Sequence, residues 1–135
     1  MNNNKQYTRK INPILGLLGF LGFFGFFGIF TYTTTGDYFP FAFFGFFGFF
    51  GFFFEGKRSN TLMDERYQLN ILKAKAKAYQ IGCSLTFACL ILCCSGIFKM
   101  SVETAFLFLI ISLSLIYGLT IFLYQYLLYH YDSEE

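Results

Sequence analysis

Tryptophan is absent, histidine occurs once and proline twice in this 135-residue chain. Charged residues make up only 13% of it, where a typical soluble domain carries roughly 25%. Each shortage excludes something. The lone His130 rules out a bis-histidine haem site within one chain. A formal charge of +2 is too small to point to nucleic acid. With 56% hydrophobic residues and 22 phenylalanines, an aqueous globule of this size could not hide its apolar surface. The proline shortage leaves two long runs unbroken, because Pro13 and Pro40 stand at their starts, where the missing N–H would lack a partner anyway.

What remains is apolar. From Ile11 to Phe54 glycine recurs at every third position, at Gly16, Gly19, Gly22, Gly25 and Gly28, then at Gly45, Gly48 and Gly51. Phe, Leu and Ile fill nearly everything between. The Thr31–Asp37 patch divides the run into two spans, 13–31 and 38–54, with Asp37 as an N-cap. At ~1.5 Å per residue these reach roughly 28 and 25 Å, near the ~30 Å hydrocarbon core. On an α-helix each third residue slips back by about 60°, so the glycines are expected to spiral rather than form one stripe. Tightening toward three residues per turn is normally confined to short pieces. No pair within either glycine run stands four apart, so the G-x-x-x-G association motif is missing. The eight glycines are assigned to close helix packing.

Residues 55–78 change character, with Lys57, Arg58, Arg66, Lys73, Lys75 and Lys77 set against Glu55, Asp64 and Glu65. Met63, Tyr67, Ile71, Ala74 and Ala78 share one helical face, which predicts an amphipathic helix at the headgroup level. Arg66, Lys73, Lys75 and Lys77 are its candidate contacts to lipid headgroups or a partner. A third span is expected over 78–98 and a fourth from Ser101, its N-cap, to Tyr129, followed by an acidic tail.

The fold class that follows is an all-α membrane protein. Its four transmembrane helices form two antiparallel hairpins, with a cytoplasmic amphipathic helix between them. The segments are 1–54, 55–78 and 79–135. Lys and Arg number three at the N-terminus and six in 55–78, against none in 31–37 and one in 99–103. That asymmetry places both termini in the cytoplasm. Lys5, Arg9 and Lys10 precede an apolar run too long for a signal peptide and without an A-x-A-like cleavage site, so it reads as a retained anchor. Tyr32 and Tyr38 mark the outer boundary, Tyr79, Tyr124, Tyr126 and Tyr129 the inner one. Tyr117 falls at mid-depth, where its hydroxyl needs a serine or a backbone carbonyl.

The spans hold no Asp, Glu, Lys, Arg or His away from their ends, which argues against a proton relay, an ion-coupled transporter and an intramembrane metalloprotease. Ser84, Ser112 and Ser114 have no basic residue to activate them. Cys83, Cys89, Cys93 and Cys94 all lie in one apolar run and read as small hydrophobes. A soft-metal site at Cys89, Cys93 and Cys94 lacks polar support and zinc spacing. The chain therefore reads as non-enzymatic, without catalytic, metal or cofactor residues.

The hairpin from Asn12 to Phe54, N-P-I-L-G-L-L-G-F-L-G-F-F-G then F-F-G-F-F-G-F-F-G-F-F-F, resembles small multi-pass bacterial membrane proteins, as does Asp64-Glu65-Arg66 with Lys73-Ala74. The family it resembles is domain of unknown function 3796. That likeness covers residues 12–82 and implies a bacterial cytoplasmic membrane protein, often encoded near a helix-turn-helix regulator, with no activity assigned. The function expected is a membrane accessory or regulatory protein, linked to such a regulator or to a membrane-stress or peptide-antibiotic response. Its partners would be the bilayer, a membrane or cytoplasmic regulatory protein, and other copies of the chain. The alternative is a self-assembling pore or small-solute permease.

Overall fold

The computed structural model describes residues 7–95 and 99–133. Lys5 of the basic N-terminus, residues 96–98 at the end of the expected third span, and Glu134 and Glu135 of the acidic tail lie outside the described residues. Among those described, four helices are long and apolar enough to cross a membrane: α1 (Pro13–Thr35), α2 (Phe39–Lys57), α3 (Glu65–Cys94) and α4 (Val102–Ser133). Among the described residues the one β contact is an isolated bridge between Tyr7 and Leu62.

Local chemistry sets the helix ends. Asn12 caps α1 by accepting from the Ile14 N–H, ahead of Pro13 in the first turn. Thr35 ends α1 because Gly36 turns left-handed at φ 73, a conformation that suits glycine. The Asp37 carboxylate accepts from the Phe39 N–H where α2 begins. Asp64 caps α3 through the Tyr67 N–H at 2.7 Å. Ser101 accepts from the Thr104 N–H at the start of α4.

The glycine helices are not α-helical throughout. Residues Pro13–Phe26 of α1 and Phe39–Gly51 of α2 are 3₁₀ helices, and each passes into an α-helix only in its last part. The expected spiral is thereby corrected. At three residues per turn positions i and i+3 eclipse, so a glycine at every third position makes a straight groove. Pieces this long are uncommon; what supports them is their mate. Gly16, Gly19, Gly22, Gly25 and Gly28 face the rings of Phe53, Phe50, Phe47, Phe44 and Phe41 in turn. The pairs descend one helix as they climb the other, so α1 and α2 run in opposite directions. A Cβ on any of these glycines would stand 2.5–2.6 Å from ring carbon.

Each 3₁₀ helix thus has three flat faces. On α2 one carries the phenylalanines that fill α1. A second carries Gly45, Gly48 and Gly51 and meets α4 at Tyr117, Gly118 and Gln125. The third carries Phe43, Phe46, Phe49 and Phe52, which pack ring on ring at centroid distances of 5.2–5.5 Å. Backbone contacts run only from α1 to α2, α2 to α4, and α4 to α3. Among the described residues the helices therefore stand in an open row, 1–2–4–3.

Residues 65–78 are not a separate element. They form the first half of the continuous helix α3, whose buried stripe of Tyr67, Asn70, Ala74, Ala78 and Gly82 lies along α4. The stripe ends in a small core of Tyr67, Ala74 and Leu128, with Met63 and Ile71 packed against it.

Candidate functional site

The densest polar arrangement sits where α2 ends and α3 begins. Arg58, the residue after α2, is only 5% exposed. Its Nη1 donates to the Tyr67 hydroxyl at 3.0 Å and its Nη2 to Gln125 Oε1 at 2.6 Å. Gln125 Nε2 in turn donates to Glu55 Oε2 at 2.9 Å. A neutral amide thus stands between the cation and the carboxylate, and Arg58 Nε is buried without a hydrogen-bond partner among the described residues. The N-terminal segment closes over this end. The Thr8 hydroxyl donates to the Arg58 carbonyl at 3.0 Å, the Thr8 N–H to the Thr61 carbonyl at 2.8 Å, and the Ile11 N–H to Ser59 Oγ at 2.8 Å. Between these groups lies a cleft of 80 Å³ walled by Arg9, Glu55, Arg58, Tyr67, Tyr124 and Gln125, among others.

The opposite end is simpler. The Tyr32 and Tyr38 hydroxyls both donate to Glu103 Oε1, at 3.1 and 3.3 Å. Partial burial and the Glu103 carboxylate together raise the Tyr38 hydroxyl above its ordinary pKa of 10.0.

Because α2 and α3 do not touch, their flanks and the face of α4 enclose a trough of 840 Å³. Gly45, Phe46, Tyr79, Cys83, Ser114 and Tyr117 are among its walls. Tyr117 is 66% exposed there, and its hydroxyl makes no hydrogen bond among the described residues. The serine or carbonyl partner expected for it is therefore not found, because the ring points away from the helix neighbours into the trough.

The cationic candidates separate. Arg66, Lys73, Lys75 and Lys77 are all exposed on α3; Lys75 Nζ lies over the Tyr124 ring at 5.8 Å from its centroid. Gly16, Gly19, Gly22, Gly25 and Gly28 lie in the α1–α2 seam, and Gly45, Gly48 and Gly51 in the α2–α4 seam. The four cysteines are free thiols, two of them exposed. Among the described residues no three His, Cys, Asp or Glu side chains converge as metal ligands would.

Sequence reasoning missed the two residues that organise the polar end. In the sequence Arg58 stands among the other cations of residues 55–78, and Gln125 carries no charge to mark it. The available signal was Gln125 itself, an amide in the apolar run from Phe106 to Leu128. Such a group needs an interhelical partner.

The model of the family described as predicted membrane protein (DUF2178) matches residues 9–134. This overturns the resemblance to domain of unknown function 3796. That likeness rested on residues 12–82, where repeated glycine and phenylalanine inflate similarity, whereas the match extends through α4. No curated protein and no solved structure matches the chain. Matched over nearly its whole length, the chain belongs to the DUF2178 family of predicted membrane proteins.

Proposed function

We propose that this protein is a non-enzymatic accessory or regulatory component of a bacterial cell membrane, acting by association. In this reading α1 with α2 and α3 with α4 cross the bilayer as two antiparallel hairpins. Both termini and the first half of α3 lie on the cytoplasmic side. The observation that supports it is the two-sidedness of α3. Tyr67, Asn70, Ala74 and Ala78 are buried along α4, while Lys73, Lys75 and Lys77 stand exposed on the same turns. A helix held rigidly along one stripe presents the cations that flank it at a fixed height, which suits a regulatory protein with an acidic surface.

Two measurements test this. Cysteines placed at the exposed Thr34 and Gln68 should be labelled by a membrane-impermeant reagent from opposite sides; labelling from one side refutes the topology. Gln68 is the better probe than its neighbour Asn70, which is 4% exposed. Neutralising Lys73, Lys75 and Lys77 together with glutamine should abolish co-purification of the partner, and unchanged recovery counts against the accessory role. A pore or permease is the second reading. It is favoured by one observation, the hydroxyls of Ser114, Tyr117 and Thr120 along the trough. Solute flux in reconstituted liposomes separates it, since the accessory role predicts none.

A further inference from the structure

The polar end carries a charge pattern that the fold alone does not need. A guanidinium buried to 5% exposure costs several kcal/mol unless an anion compensates it. Here both of its acceptors, the Tyr67 hydroxyl and the Gln125 amide oxygen, are uncharged. Nε, a third donor, is sealed inside the protein without a hydrogen-bond partner among the described residues. The same cleft is walled by a second guanidinium, Arg9, and by one carboxylate, Glu55. The three ionised groups sum to a single positive charge.

We propose that this cleft binds the phosphate group of an anionic phospholipid, with Arg58 and Arg9 as its cationic ligands. Three features fix the chemistry. A guanidinium carries five N–H donors, of which Arg58 spends two on Tyr67 and Gln125; its planar fork matches phosphate oxygens through paired donors, which a point-like ammonium cannot do. A cleft of 80 Å³ exceeds the ~10–15 Å³ that one water needs several-fold; that admits phosphate oxygens. One phosphodiester charge neutralises the local +1, whereas a zwitterionic lipid would bring a further cation beside Arg9. The site also lies at the end of α2, one of the four apolar helices. A lipid with its phosphate in the cleft would lay its chains along that helix. Tyr124 lines the same cleft and its hydroxyl makes no hydrogen bond among the described residues, so it is a further donor. This inference requires only that the chain sits in a bilayer and is independent of which end faces the cytoplasm.

The test uses the full chain in neutral detergent micelles, titrated with phosphatidylglycerol, phosphatidylcholine or inorganic phosphate. Thermal stability and lipid retention in native mass spectrometry are the readouts. Phosphatidylglycerol should stabilise saturably and phosphatidylcholine should not. Arg9→Gln, at an exposed residue, should weaken phosphatidylglycerol binding about tenfold, the worth of one charge-assisted hydrogen bond. Glu55→Gln should tighten it by removing the opposing carboxylate, a gain that a purely structural role would not produce. Equal response to both lipids, or affinities unmoved by Arg9→Gln and Glu55→Gln, overturns the site. Saturable binding of inorganic phosphate without any response to phosphatidylglycerol overturns the lipid as its source.

Discussion

Alanine at Gly48 and at Gly45 makes the sharpest test of the helix row, because the two glycines sit one turn apart on one face of α2. A Cβ at Gly48 would stand 2.8 Å from the Gly118 carbonyl oxygen and 3.1 Å from its Cα. Those are backbone atoms of α4, so no rotamer change relieves the contact and the helices themselves must part. A Cβ at Gly45 would meet Tyr117 Cδ1 at 3.5 Å and the Ser114 carbonyl at 3.7 Å, ordinary contact distances. Both substitutions gain the same helix preference of alanine over glycine, about 1 kcal/mol, so that term cancels between them. What remains is overpacking, about 1–3 kcal/mol. Gly48→Ala should therefore be less stable than Gly45→Ala by about 2 kcal/mol, roughly 30-fold in the folding equilibrium. Reversible unfolding in mixed micelles with a denaturing detergent, followed by circular dichroism, measures the difference. A Gly48→Ala protein as stable as Gly45→Ala would refute the close approach of α2 to α4.

Three further outcomes are expected. Gly22→Ala places a Cβ 2.5 Å from Phe47 Cδ1, and that ring is held between Phe44 and Phe50 at 6.1 and 6.2 Å. Stability should fall by about 1–3 kcal/mol, and adding Phe47→Leu should recover part of it in a double-mutant cycle; absence of coupling would contradict the pairing. Gln125→Leu strips a hydrogen bond from both Arg58 and Glu55 and should cost about 2–3 kcal/mol, read in the same unfolding assay; a neutral effect would mean the amide link is dispensable. The Tyr38 hydroxyl donates to Glu103 only while protonated, and its pKa is raised above 10.0 in the folded chain. Its contribution is complete below the ordinary value and is lost as pH rises through the raised one. The stability gap between wild type and Tyr38→Phe should accordingly close at high pH, and a constant gap would exclude that hydrogen bond as its source.

How far the chain could be read from its residues depends on which physical term dominates at each place. The four apolar helices were legible because hydropathy acts over whole segments, and Pro13 and Ser101 marked starts because caps are local chemistry. The buried stripe with Tyr67, Ala74 and Ala78 was legible as a 3.6-residue periodicity. The boundary at Ala78 was not. A change from charged to apolar composition does not interrupt the backbone hydrogen bonds, so α3 runs through it. The glycine repeat spirals on an α-helical wheel and lines up only at three residues per turn, a winding that depends on the packing between helices and is not written in the period alone. Arg58 and Gln125 escaped because their partners lie 67 residues apart in sequence, and only the 1–2–4–3 order brings them together.

That order follows from a coincidence of two rises. Three residues of 3₁₀ helix advance about 6.0 Å, and four residues of α-helix advance about 6.0 Å as well. Gly45, Gly48 and Gly51 on α2 therefore keep step with Ser114, Gly118 and Phe122 on α4, each move of three on one helix meeting a move of four on the other. The two run in the same direction, so the match persists along the seam instead of drifting out of register. Between α1 and α2 the match is of three with three, and the glycines of one take the phenylalanines of the other. Helix α2 is thus the adaptor of the row, with a large-residue face toward one neighbour and a small-residue face toward the next. A three-residue repeat supplies both faces at once only if the helix has three residues per turn. On that ground the long 3₁₀ segments are a consequence of the packing they make, and the repeat would lose its purpose in any helix wound at 3.6.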